Sequence, residues 1–406
     1  MTMKISAIET LALAAAAVAL GLWIRSSVRF VNRLNIPPSI AGGLVFAIVN
    51  LILHQRGVNV EFDASLRDPL MLTCFSIIGF NASWRVLRRG GKLIVLLLAL
   101  ATLGGALQNV VGCGLALAFG LSVFVGPLIG SVSLAGGPAT SQAFGATFEE
   151  LGVQGAATIA IASATFGIAI SGLVAGALGG WLLRNKFTCP VPRRADEAAS
   201  PVESLPSRAT ISTPPDLAQH ALWIAVVLGA GAIVSRAISS SGFVMPAYIG
   251  AMTVAAVVRN ADDKWRFARL SETALEWIFS ALLPLFIGMA MVTLRLWELE
   301  QLAVPLIVIL CVQVFLTTVY CGACYRLLGR DYDAAVTAAG FCGFMLGITP
   351  NAMASMEEIV SKHGPAPRAF LAVPVVGAFL LDFTNSLLIT ATISVLRLGP
   401  SQSMLH

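Results

Sequence analysis

Asp382 and Asn385 stand one helical turn apart in an otherwise apolar run, Val375-Val-Gly-Ala-Phe-Leu-Leu-Asp-Phe-Thr-Asn-Ser. A carboxylate near the middle of a bilayer costs on the order of 2.5–3.5 kcal/mol by insertion scales, so it needs a compensating partner. Oxygen-only ligands suit a hard cation such as Na⁺. Asp382 therefore reads as a cation ligand with Asn385 beside it; proton carriage and a structural ion pair are the other uses of the same group. Asn81 and Thr165 extend the candidate Na⁺ set. With Gln108, Asn109 and Gln313 they are polar residues in apolar runs, where hydrogen bonds between helices are the commoner use.

A second kind of chemistry comes from the backbone. The stretch Gly340-Phe-Cys-Gly-Phe-Met-Leu-Gly-Ile-Thr-Pro-Asn351 is apolar enough to enter a membrane and too broken to cross one. Its glycines weaken a helix and Pro350 removes an amide donor. Irregular backbone at membrane depth survives where protein buries it or water reaches it. The pattern predicts a re-entrant hairpin over about 334–356, with Thr349 as N-cap and Pro350 as first residue of its second half-helix. Free amides and the positive dipole end there suit a carboxylate, which makes Gly343, Gly347, Thr349, Pro350 and Asn351 candidate substrate contacts. The run from Gly130 to Thr140 breaks in the same way and predicts a first hairpin over about 125–147. Its candidates are Ser133, Gly136, Gly137 and Thr140. Gly130 and Gly137 precede Gly340 and Gly347 by 210 residues each.

These groups need a membrane around them. Of the 406 residues 57% are hydrophobic and 12% charged, and the mean hydropathy is +0.84, which excludes a soluble globule. Apolar windows predict spans near 8–24, 36–54, 69–83, 93–119 and 155–183, then 217–239, 244–258, 274–294, 303–325 and 369–395. The first run has one basic residue ahead of it and Arg25, Arg29 and Arg33 behind it, the reverse of a secretory signal, and reads as a mature span. Between the two groups lies a Pro-, Arg- and Ser-rich linker, 184–216. Repeat one is then 1–183 and repeat two 217–406. Pro38 and Gly42 match Pro246 and Gly250, Gly79 and Leu87 match Gly288 and Leu296, and Gly167 matches Gly377, all at offsets near that of the hairpin glycines. Five crossings per copy make the second copy enter from the opposite side, so the repeats are inverted. With the N-terminus outside, the loops 25–35, 82–92, 184–216, 259–273 and 326–368 face the cytoplasm and hold 20 of the 26 Lys and Arg residues. Both termini are then periplasmic and the linker cytoplasmic. Gly172, Gly176 and Gly180 form a stripe expected to pack closely against another helix.

No phosphate-binding loop is present, and the linker is too small for an ATPase, so an ion gradient is the expected driving force. The histidines lie at span ends or in loops, which leaves no catalytic set at depth for a membrane enzyme. The basic balance belongs to membrane loops and not to nucleic acid. A channel, and a carrier for another organic acid coupled to protons or sodium, are the rival readings.

Six segments carry a resemblance: Ser65-Leu-Arg-Asp-Pro-Leu-Met-Leu, Ile78-Gly-Phe-Asn-Ala, Leu296-Trp-Glu-Leu, Tyr332-Asp-Ala-Ala-Val, the Gly340 stretch, and Val373-Pro-Val-Val-Gly-Ala-Phe. Over about 10–395, the linker excepted, the chain resembles the bacterial sodium/glutamate symporters. The resemblance implies an all-α integral membrane protein of the bacterial inner membrane. It implies ten transmembrane helices in two inverted five-helix repeats, each with a re-entrant hairpin. It also implies a homodimer that works by an elevator motion among the membrane lipids, and symport of glutamate with Na⁺ as coupling ion and no organic cofactor. The chain departs from the family pattern where Pro138 and Phe341 replace loop histidines and Met345 replaces a glycine; each change makes the tips drier and bulkier.

Overall fold

A computed structural model of the chain describes residues 2–85, 91–184, 214–239, 247–299 and 302–398. The linker expected at 184–216 lies, apart from its ends, outside the described residues, as do Leu87 and Pro246. With no water in a bilayer core to satisfy backbone groups, apolar runs of this length become helices, and the fold is helical nearly throughout. In chain order the main helices are α1 (Ala7–Ser27), α2 (Pro38–Gln55), α3 (Arg67–Asn81), α4 (Gly91–Ala118), α5 (Gly137–Glu150), α6 (Ala156–Leu183) and α7 (Pro214–Ser239). They continue as α8 (Ala247–Trp265), α9 (Glu272–Val292), α10 (Ala303–Cys324), α11 (Tyr332–Leu346), α12 (Thr349–His363), α13 (Pro367–Val375) and α14 (Leu381–Leu398).

Among the described residues seven of these are long and apolar enough to cross a membrane: α1, α2, α4, α6, α7, α9 and α10. The pair α13–α14 passes the same test together but bends by 45°. Pro374 removes one amide donor there, and a π turn over Val376–Leu380 absorbs the displaced residue. α3 is only 15 residues long, and α8 carries Arg259, Asp262, Asp263 and Lys264 in its last turns. One feature outside the sequence reading is a short parallel ladder, Thr2–Ile5 with Asn59–Phe62, that ties the N-terminus to the loop after α2. Ser6 then starts α1 with a capping box, its side chain on the Glu9 amide and the Glu9 carboxylate on the Ser6 amide.

The helices pack as two sets. In the first, α1 lies on α2 as α7 lies on α8, and α9 lies on α1 and α2 as α3 lies on α7 and α8. Between apolar helices in lipid the association rests on close contact, and small residues permit it. A Cβ on Gly42 would fall 1.8 Å from the Ala17 carbonyl oxygen, and one on Gly250 would fall 2.4 Å from that of Gly231. The second set holds α4, α5, α6 and α10 to α14, around the largest apolar core. The sets meet along an apolar seam of Ile40 and Ala47 from α2, Phe286, Ile287 and Met291 from α9, and Ile161 and Ile168 from α6.

The glycine stripe on α6 does not pack as expected. Cβ atoms on Gly172 and Gly180 would meet no atom of a described residue within 4 Å, whereas Cβ atoms on Gly167 and Gly179 would lie 2.3 Å from the Leu346 carbonyl oxygen and from Ile359. The buried face is the one through Gly167, Ser171, Ala175 and Gly179, one position out of phase with the stripe. Spacing alone does not say which row of small residues turns inward.

Candidate functional site

The first broken stretch begins as a short helix at Val125–Pro127 and opens into a π turn over Leu128–Val132. Gly130 departs from helical backbone there (ψ −122°), and turns follow to Gly136. Gly137 starts α5 with φ +65°, a left-handed conformation that glycine adopts without a Cβ penalty. Ser133 is buried; its Oγ lies within hydrogen-bonding reach of the Leu128 carbonyl and, at 2.9 Å, of the Ala160 carbonyl on α6. Ser141 Oγ, one turn into α5, sits 3.4 Å from Ser133 Oγ. Gly136 packs on Thr140, whose side chain is buried.

The second break separates α11 from α12 at Gly347 (φ −157°, ψ −121°). The N-cap of α12 is Ile348, with extended backbone and no side-chain cap; Thr349 and Pro350 are its first two residues. This corrects the expectation that Thr349 caps the helix. No side chain caps the turn, Pro350 has no N–H, and the Asn351 and Ala352 amides donate to the Ile348 carbonyl at 3.0 and 3.3 Å, so the Thr349 amide is the first-turn donor left for a ligand. Asn351 is buried, and its Nδ2 donates to the Ile168 carbonyl and to Ser171 Oγ, both at 2.7 Å. Its Oδ1 has no partner. Gly347 sits against Ser171, where a Cβ would come 2.5 Å from Oγ. Gly343 has another setting: it is the place where α11 meets α12, with Ala352 Cα 2.7 Å from its Cβ position.

The two breaks touch. A Cβ on Gly137 would lie 3.4 Å from Ile348 Cγ2 and 3.8 Å from the Gly347 carbonyl oxygen. Ala139 and Ile348 also rest on the apolar seam, so both tips abut the first helix set through small or branched hydrocarbon. Pro138, Phe341 and Met345 are buried, and Phe341 packs on Tyr320 and Phe344.

Polar groups of the second set surround the tips. Asn109 Oδ1 accepts from the Ser131 amide at 3.0 Å, and Asn385 Nδ2 donates to the Ser131 carbonyl at 2.9 Å. Gln108 Nε2 reaches Thr317 Oγ1 at 2.9 Å and the Met345 carbonyl at 3.1 Å, while Gln313 Nε2 donates to the Gln108 carbonyl at 2.7 Å. Each amide thus spends its N–H groups on backbone or hydroxyl, and Oδ1 of Asn385 and Oε1 of Gln108 and Gln313 are left buried without partners. Asp382 is half-buried in the first turn of α14, and no ion pair engages its carboxylate among the described residues. Gly377, in the π turn below it, faces Thr349, whose Oγ1 would be 3.1 Å from a Cβ there.

Asn385 therefore joins the first tip, Thr349 and Asn351 belong to the second, and Gly137 and Gly347 lie where the tips meet. Thr165 spends its hydroxyl on the Ile161 carbonyl within α6. Asn81 ends α3 in the other helix set, near Ser83, which bonds Asp263. Among the described residues no hydrogen bond links Thr165 or Asn81 to Asp382. Ser131 and Ser171 are the polar residues that the sequence reading passed over. Each is a small hydroxyl flanking a glycine of a break or of the helix against it, a signal weaker than an amide in an apolar run. Beyond the tips a crevice of about 1050 Å³ lies between the sets, with Ser83, Trp84, Arg85, Asn260 and Lys264 on one wall and Phe383 and Thr384 on the other.

Comparison with known proteins identifies the family. A family model described as sodium/glutamate symporter matches residues 3–365. A sodium/glutamate symporter of Escherichia coli (strain K12) is 37% identical over 385 residues, which is 94% of this chain and 96% of that protein. One from Haemophilus influenzae is 35% identical over 404 residues, 98% of this chain and 100% of that protein. With near-complete coverage on both sides, the chain belongs to the sodium/glutamate symporter family.

Proposed function

We infer that the protein is a multi-pass inner-membrane symporter that takes up glutamate together with Na⁺. The observation that carries the site is the contact between the two tips, where the uncapped first turn of α12 and the start of α5 meet at Gly137 and Gly347. The Thr349 amide and the positive dipole end of α12 receive a substrate carboxylate, and Ser133, Gly136, Thr140, Pro350 and Asn351 complete the pocket wall. Asp382 and Asn385 hold a coupling ion. Thr165 serves the same ion only if its hydroxyl leaves the Ile161 carbonyl, and Asn81 needs a large approach of the other helix set.

The matched contacts in the first helix set support two inverted repeats, 1–183 and 217–406, joined by a cytoplasmic linker, with both termini periplasmic. Ten crossings result when α3, α8 and the bent α13–α14 pair count with the seven long helices. The first helix set is the scaffold that pairs in a homodimer, and the second carries both tips as one moving body in an elevator cycle. Two features support this division: among the described residues no hydrogen bond joins the tips to the scaffold, which they meet through hydrocarbon at the seam, and the crevice beside Thr384 gives the moving body a wetted flank with Arg85 and Lys264 to attract an anion. A monoanion moving with at least two Na⁺ is drawn inward, since each elementary charge crossing 100 mV is worth roughly 2.3 kcal/mol.

Proteoliposomes holding the purified chain test this. Glutamate uptake should need inward Na⁺, rise with an inside-negative potential, and survive collapse of the proton gradient. Glutamate uptake indifferent to Na⁺ would remove the reading. A second reading, a carrier of another organic acid, is favoured by the buried Pro138, Phe341 and Met345, which put apolar bulk into the two broken segments. A competition panel of carboxylates with and without Na⁺ separates the two, and flux that does not saturate would indicate a channel instead.

A further inference from the structure

We propose that Ser131 Oγ and Asn385 Oδ1 are two ligands of one buried Na⁺ site, with Asp382 as its counter-charge, so that the ion fastens the first broken stretch to α14. The proposal rests on the sodium-coupled reading and adds ligands from the first tip, a residue that governs access, and a reason why ion and substrate travel together.

Three observations converge. Ser131 and Asn385 are 0% and 1% exposed, and both Ser131 Oγ and Asn385 Oδ1 lack any hydrogen-bond partner. A buried unpaired oxygen is expensive, and two side by side need a shared partner. The orientation of the Asn385 amide is not arbitrary. Its Nδ2 meets the Ser131 carbonyl, which can only accept, so Oδ1 must point away from it. The Ser131 amide is in turn held by Asn109 Oδ1, which is itself fixed through Nδ2 on Thr392. The two lone oxygens are thus preset by groups already in use.

The missing side chain of a glycine lies beside them. Gly105 on α4 faces the pair, and a Cβ there would lie 3.4 Å from Asn385 Oδ1, 3.4 Å from Ser131 Cβ and 3.2 Å from Leu388 Cδ2. A methyl at this position needs Leu388 to give by a few tenths of an ångström and crowds Asn385 Oδ1 and the Ser131 side chain together. Asp382 precedes Asn385 by less than one helical turn, on the same side of α14, and supplies the negative charge that a buried cation needs. A hydroxyl, an amide carbonyl and one carboxylate form a hard, oxygen-only set of single negative charge, which fits a small monovalent cation.

The consequence is order. Ser131 lies in the π turn that leads into the first tip, whose Gly137 touches Gly347 of the second. An ion bridging Ser131 to α14 fixes the first tip in register with the second, and the substrate meets a finished pocket. Without the ion, the first tip lacks one of its anchors and the pocket binds weakly.

The test uses the purified full chain in detergent, melted while NaCl is exchanged for choline chloride at constant ionic strength. Wild type should gain thermal stability with rising Na⁺. Ser131→Ala and Gly105→Ala should each raise the half-saturating Na⁺ concentration at least tenfold, one by removing a ligand and the other by crowding the pair. Choline and K⁺ should protect none of the three proteins. If both variants titrate with Na⁺ as wild type does, the site is wrong and a bound water satisfies the two oxygens. If wild type itself ignores Na⁺ in melting and in glutamate uptake, sodium coupling falls with it. Should one variant fail to fold, the other decides, since they act on different helices.

Discussion

Asn351 is the residue whose removal best separates holding the site from recognising the substrate. Its Nδ2 ties the first turn of α12 to α6 through the Ile168 carbonyl and Ser171 Oγ, and its Oδ1 is buried and unpaired. Truncation in Asn351→Ala removes both bonds. At about 1 kcal/mol net for each, stability should fall by about 2 kcal/mol. The lone Oδ1 is a buried acceptor without a donor, so it suits the ammonium group of an amino acid and not a carboxylate. A hydrogen bond to a charged partner is worth about 1.5–3 kcal/mol, so Asn351→Ala should weaken glutamate about 10- to 150-fold. A five-carbon dicarboxylate without the amine should lose far less. Competition against labelled glutamate in proteoliposomes gives both constants. Asn351→Asp keeps an acceptor and loses the donors, so it should preserve the preference for the amine while melting lower than wild type. If the two inhibitors weaken by the same factor in Asn351→Ala, the residue is an anchor only and the ammonium assignment is refuted.

Other tests reach the remaining parts. Asp382→Asn should abolish Na⁺-dependent accumulation while leaving a folded protein in the membrane; retention of Na⁺ coupling would show that the carboxylate has another use. Gly42→Ala and Gly250→Ala should each cost about 1–3 kcal/mol or more in thermal stability, because their Cβ atoms meet the backbone oxygens of Ala17 and Gly231 and not yielding side chains. Equal uptake and melting in those variants would contradict the tight helix crossings. Single cysteines placed at Gln154 and Lys362, both exposed, in a chain freed of its seven native cysteines should be labelled from opposite faces of the membrane. Labelling from one face would end the inverted-repeat proposal.

The helices were legible because lipid leaves an apolar chain one way to satisfy its backbone. The windows at 155–183 and 274–294 match α6 at Ala156–Leu183 and α9 at Glu272–Val292 within two residues. The breaks were legible because Gly340, Gly347 and Pro350, and Gly130 and Gly137 before them, put helix-weakening residues inside apolar runs. What escaped was phase and partner. The row of glycines at 172, 176 and 180 looks in sequence like the buried row at 167 and 179, and only the neighbouring helices decide between them. The cap of α12 slipped from Thr349 to Ile348 because cap preference is a local tendency, while the close approach of Gly347 to Ser171 is set from outside the segment. Ser131 gave little signal, since a hydroxyl beside a glycine in an apolar run is common; only the orphaned oxygen of Asn385 across from it makes it conspicuous.

The seam suits the proposed elevator cycle. Polar bonds near the tips run within the second helix set: Asn385 to Ser131, Gln108 to Met345, Asn351 to α6. The tips meet the first set through Ala139 and Ile348 against Ile40, Phe286 and Met291. Hydrocarbon contact is non-directional, so sliding across it changes area little and breaks no hydrogen bond. Polar contact at the same seam would have to be broken and remade with each crossing, in a place where no water stands ready. In the proposed elevator cycle a hydrogen-bonded body on an apolar track keeps its ligands as it moves, and one polar group on the track should be enough to stop it. Phe286→Gln, facing the tips from α9, should leave Na⁺ binding in place and slow glutamate counterflow by an order of magnitude or more. Counterflow at the wild-type rate would show that the seam is not the surface on which the body moves.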